Sequence, residues 1–111
     1  MDLSFENKEI RKICEDEDIA TLRYGSAVAK ELQKRLADID AAKSVNDLIV
    51  GQPGEVFKKV YSNYKIDLCD GYRLIFCANP VYIPLLEDKI NWPLVRRIKI
   101  LQIENTNEQI K

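Results

Sequence analysis

Histidine is absent from this chain of 111 residues. Its absence removes the commonest metal ligand and the side chain best suited to proton transfer near neutrality. Zinc motifs, histidine-dependent triads and histidine-pair nucleases are thereby excluded. Glycine is scarce: Gly25, Gly51, Gly54 and Gly71 stand apart, so no glycine-rich loop cradles a phosphate, and each reads as a turn or cap. Cys14, Cys69 and Cys77 are an odd number of thiols at unrelated spacings, which fits reduced cysteines in a cytoplasm rather than a disulfide framework. No apolar run approaches the roughly 20 residues that span a bilayer. The opening "MDLSFENKEIRK" lacks the basic-then-apolar order of a secretory signal. These absences predict a cytoplasmic protein with no membrane segment and no metal.

What is present describes an ordinary globular domain. Apolar residues make up 46% and charged residues 32%, enough for one core without staples, so residues 1–111 read as a single domain. A net charge of −1 argues against broad, unspecific nucleic-acid binding. The charge is unevenly spread, however. Acids crowd "CEDED" at 14–18, while the strand-like segments carry Lys58, Lys59, Lys65, Arg73, Arg96, Arg97 and Lys99. A local basic face is therefore expected.

Helical patterns come first along the chain. "LSF" suits a short strand, and Asn7 can cap a helix that buries Ile10 and Ile13, with Cys14 facing the core. "DIATLRYG" reads as a continuation or turn ending at Gly25. Ser26 then caps the clearest helix, with Val28, Leu32, Leu36 and Ile39 on one stripe and the Glu31–Arg35 pair on the exposed side. Ser44 and Asp47 suggest a short capped helix through Ile49, stopped by Gly51. "EVFKKVY", "YKIDL", "YRLIF" and "VRRIKILQIE" are β-type runs. Pro80 and Pro84 keep the intervening connector out of any central strand, and Trp92 anchors it. Residues from about 105 onward look frayed. Helices followed by a meandering sheet predict an α+β fold, with N-terminal helices on one face of a small, mainly antiparallel sheet.

The stretch "DLCDGYRLIF" (67–76) sets the most informative register. A two-residue Asp70-Gly71 loop would place Arg73 on one face with Ile66, Leu68 and Ile75. A three-residue loop, Cys69-Asp70-Gly71, built as a type I turn closed by a left-handed Gly71, sorts the faces instead. Ile66, Leu68, Tyr72, Leu74 and Phe76 then share the apolar side, and Lys65, Asp67 and Arg73 the other. A one-residue slip inverts every side chain, so the buried face selects the second register. Arg73 then lies across from Asp67, either as a cross-strand ion pair or as a guanidinium that Asp67 holds ready for a phosphate or carboxylate.

Taken together, "YKIDLCDGYRLIF", "PLLEDKINWPLV" and "RRIKILQIE", in this order and spacing over roughly residues 3–104, resemble the plasmid-maintenance killer toxins. These HigB-like proteins belong to the RelE/ParE superfamily of type II toxin–antitoxin systems. The resemblance implies a bacterial toxin neutralised by a helix-turn-helix antitoxin, and a ribosome-dependent mRNA endoribonuclease that needs neither metal nor cofactor. It implies that Arg73 meets the scissile phosphate, with Lys58, Lys59 and Tyr61 as further catalytic candidates. Lys65, Arg97 and Lys99 would contact RNA, and Asp67 would orient Arg73. Lys58 and Lys59 point to opposite faces of any regular strand, so at most one reaches the site. Tyr64 falls in the apolar set. The chain departs from the family at "IENTNEQIK", where relatives carry a tyrosine or histidine. That departure keeps two alternatives open: a ParE-like inhibitor of DNA gyrase, and an antitoxin-binding module of weakened activity.

Overall fold

Strand β1 (Asp2–Phe5) gives way to helix α1 (Lys8–Glu15) where the Asn7 side chain accepts from the Ile10 amide at 2.9 Å. The computed structural model describes residues 1–56, 62–81 and 83–106. Helix α1 buries Ile10, Ile13 and Cys14. "DIATLRY" forms a separate helix, α2 (Glu17–Tyr24), because the Asp16 carboxylate accepts from the amides of Asp18 and Ile19 and starts a new turn.

Gly25, at φ 89°, ends α2 and also begins α3 (Ser26–Ala41). The expected Ser26 cap is therefore not formed. With a single residue between two helices, Ser26 is already the first helical residue, and no side chain caps α3. Arg35 also departs from expectation, since it is buried rather than exposed. Its guanidinium lies 3.3 Å from Asp38 and 3.7 Å from Glu31. Only a short 3-10 turn, Val45–Asp47, follows; Asp47 accepts from the Lys43 amide, and Ser44 makes no side-chain cap.

Five strands make the main sheet in the order β1-β7-β4-β3-β2, where β2 is Gly54–Val56, β3 Asn63–Asp67, β4 Tyr72–Ala78 and β7 Arg97–Asn105. All neighbours are antiparallel except β1 and β7, which run parallel. The fold is thus α+β with a mostly antiparallel sheet. Of the run "EVFKKVY", residues 57–61 lie outside the described residues. The connector forms its own two-stranded hairpin, β5 (Leu85–Leu86) with β6 (Lys89–Ile90), apart from the main sheet. Trp92 is buried behind it, its ring 4.6 Å from that of Tyr64. One buried cluster joins Ile10, Ile13, Ala29, Leu32 and Ile39 of the helices to Ile66, Leu74, Phe76, Ile98 and Ile100 of the sheet.

Two local irregularities decide which side chains face away from that cluster. At the β3–β4 turn the Leu68 amide donates to the Tyr72 carbonyl (2.9 Å) and the Tyr72 amide to the Cys69 carbonyl (3.0 Å). Leu68 thus meets Tyr72, and Asp67 pairs with Arg73. The turn itself differs from a type I turn, because Asp70 (φ 56°) joins Gly71 (φ 82°) at positive φ. That is the type I′ pattern, whose twist matches the flanking strands, and the extra residue is absorbed as a bulge at Leu68–Cys69. The second irregularity lies in β7. Ile75 pairs with Gln102 but Phe76 with Ile100, so Leu101 is extra. This bulge reverses the alternation: Ile98 and Ile100 face the core before it and Ile103 after it, while Gln102 and Glu104 turn outward. β7 runs through Asn105, and the Thr106 amide and hydroxyl both donate to the Gly71 carbonyl, so the ordered strand extends past the expected start of the tail.

Candidate functional site

The sheet face turned away from the buried cluster carries Lys65, Asp67, Arg73, Cys77, Arg97, Lys99, Gln102 and Glu104. Arg73 sits on β4, the central strand, flanked by Asp67 on β3 and Glu104 on β7. Glu104 is the carboxylate that engages it, through Arg73 Nε. Asp67, expected to orient Arg73, pairs instead with Lys65 Nζ at 3.1 Å. Lys65 stands two residues away on the same strand and the same face, so its amine reaches Asp67 without crossing the sheet.

Each described cation among the expected RNA contacts has a carboxylate beside it. Arg97 Nε lies 3.5 Å from Asp2, and Lys99 Nζ lies 3.4 Å from Glu6. These pairs differ in enclosure. The Arg97 and Asp2 side chains are 56% and 80% exposed, whereas those of Arg73 and Glu104 are 23% and 15%. Exposed pairs contribute little to stability and exchange readily with other ions, so the Arg73–Glu104 pair is the structured element of this face. Arg73 Nη1 and Nη2 have no hydrogen bond to the described residues, and neither is a buried unpartnered atom. They are open to a ligand. A guanidinium presented this way can grip a phosphate or carboxylate with two parallel bonds.

Lys58, Lys59 and Tyr61 lie outside the described residues. Tyr64 points into the core, stacked near Phe76 and Trp92; burial, then the nearby Glu55 charge, push its hydroxyl above the ordinary tyrosine range. Tyr72 packs edge-on against Tyr24 at 5.2 Å. Cys77 faces Lys99 across β4 and β7, yet burial outweighs that cation and raises its thiol, which keeps it a poor nucleophile. Among the described residues no cluster of three or more metal-binding side chains occurs, and no helix is long and apolar enough to cross a membrane.

Glu104 was missed in the sequence, although a signal existed. In "IKILQIE" two apolar residues, Ile100 and Leu101, stand side by side and break the alternation. That break is the bulge which turns Glu104 onto the Arg73 face.

No protein-family model and no curated protein matches the sequence. In fold, the chain is similar to a chain of the YoeB–YefM complex from Staphylococcus aureus, with a TM-score of 0.56 over 94% of each chain and 12% sequence identity.

Proposed function

We propose that this chain is the toxin of a type II toxin–antitoxin module of the RelE/ParE kind, with its helices on one face of the sheet. In this reading it inhibits translation as an endoribonuclease that cuts mRNA on the ribosome, and a helix-turn-helix antitoxin neutralises it. The fold likeness to a chain of the YoeB–YefM complex supports the superfamily and a protein partner. The HigB-like subgroup rests on the sequence motifs alone.

The observation that carries the reading is Arg73 on the outer face of the central strand, with both terminal nitrogens open. When the 2′-oxygen of RNA attacks phosphorus and the 5′-oxygen departs, charge gathers on the phosphoryl oxygens. A guanidinium aimed there supplies what is often the largest catalytic contribution. Lys65, Arg97 and Lys99 would hold the strand, trading exposed carboxylates for phosphates. Lys58, Lys59 and Tyr61 are the candidates for proton transfer, where a positioned group is worth about 10²–10⁴-fold.

Expression without antitoxin should arrest growth and create new 5′ ends within translated messages. Arg73→Ala should lower both by about 10²-fold or more, as for loss of a single oxyanion donor, in a protein that still folds but melts at a lower temperature because Glu104 loses its cation. Arrest with intact messages in the wild type would overturn the ribonuclease reading.

A second reading has its own support. Arg73, Lys65, Arg97 and Lys99 each have a carboxylate partner, which makes this part of the face close to neutral. A balanced surface suits a protein target, as in a ParE-like gyrase inhibitor. A DNA-damage response with whole messages would identify it.

A further inference from the structure

We infer that Glu104 is the positioning residue of Arg73, and that Gln102 holds Glu104 in place. The inference deepens the anion-binding role of Arg73 proposed above and names the group that pre-organises it.

A free arginine side chain samples many rotamers, and a guanidinium that must find its ligand loses that freedom on binding. Here the loss is incurred on folding. Glu104 Oε1 takes Nε, the one guanidinium N–H that points sideways from the stem, and leaves the two Nη groups as an open fork. The plane of the fork is thereby fixed relative to the sheet. The second carboxylate oxygen is itself held, since Gln102 Nε2 donates to Glu104 Oε2 at 3.3 Å. Both residues reach this face because of the Leu101 bulge. With strict alternation from Ile98 and Ile100, Gln102 and Glu104 would point into the core. The low exposure of the pair keeps water from competing for Nε.

A competing carboxylate and a positioning carboxylate predict opposite outcomes. A competitor blocks the anion site, so its removal tightens binding. A positioner leaves the fork open and orders it, so its removal weakens binding. Only Nε is taken, which favours the second.

Two measurements on the full-length protein test this. In nitrogen–proton NMR, the Arg73 Nε–H signal should be sharp, shifted and slow to exchange in wild type and in Glu104→Gln, where an acceptor oxygen remains. It should be averaged with bulk arginine signals in Glu104→Ala. The second is the affinity for a short single-stranded RNA made uncleavable by 2′-O-methyl groups. Glu104→Ala should weaken it by about tenfold, the scale of one hydrogen bond to a charged group. Glu104→Gln should restore it to within about threefold, because the acceptor survives. In an Arg73→Ala background, Glu104→Ala should have no further effect. An averaged Nε–H signal in wild type, or tighter RNA binding by Glu104→Ala, would overturn the assignment. If the Nε–H signal behaves as expected but Arg73→Ala binds RNA as wild type does, positioning stands and the ribonuclease reading falls. If Arg73→Ala abolishes binding while Glu104→Ala changes neither signal nor affinity, the reverse holds.

Discussion

Cys14 lies on the inner side of α1, and its thiol is pushed up to about 12, chiefly by burial and secondarily by the charge of Glu15. The folded protein therefore keeps a proton that the unfolded chain releases around its ordinary value of 9.0. The resulting stability is complete below that value and is lost as pH rises toward 12. Urea midpoints measured across this alkaline range should fall with a slope of up to about 1.4 kcal/mol per pH unit from this group, and Cys14→Ala should show a correspondingly flatter profile. The inward orientation of Cys14 was legible, because Ile10, Ile13 and Cys14 share one helical stripe. The opposition of Asp67 and Arg73 was legible too, because the buried face admits one register. The choice of carboxylate was not. Asp67 and Glu104 both flank Arg73, and the contest is decided by Lys65, which draws Asp67 away along its own strand.

Among the elements, β7 carries most of the outcome. Its bulge lets one strand serve two faces out of phase, with Arg97 and Lys99 outward on one side of Leu101 and Gln102 and Glu104 outward on the other. Deleting Leu101 would close the bulge with Ile100 still opposite Phe76 and Gln102 still opposite Ile75, so Ile103 stays in the cluster and Glu104 stays on the Arg73 face. The expected loss is about 1–2 kcal/mol, from the packing of a half-buried leucine and the change in local twist, seen as a modestly lowered urea midpoint. Leu101→Ala, which keeps the bulge and trims a half-buried side chain, should cost about 1 kcal/mol. Element starts were legible where a side chain does the capping, as at Asn7. They were misread at Gly25, which takes the cap position itself and offers no side chain, so Ser26 is the first helical residue and α3 starts without a side-chain cap.

For the whole molecule, charge is the telling property. A net charge of −1 and a face whose described cations each stand beside a carboxylate leave few phosphate counterions to displace. Binding to single-stranded RNA should therefore weaken only gently with salt, with log K falling by about 1–2 per decade of salt concentration. A slope near 3, measured by titration at several salt concentrations, would mean that all four carboxylates let go. The α+β class was legible from helices preceding strands. The parallel seat of β1 beside β7 was not, because strands paired across some 94 residues leave no turn chemistry between them.

That seat also dictates an order of events during synthesis. β7 lies between β1 and β4, so the earliest strand waits for the latest, and the sheet closes only once the segment through Asn105 has been made. Glu104 arrives with that same segment. A nascent chain thus holds Arg73 without its anchor until the segment through Asn105 has been made.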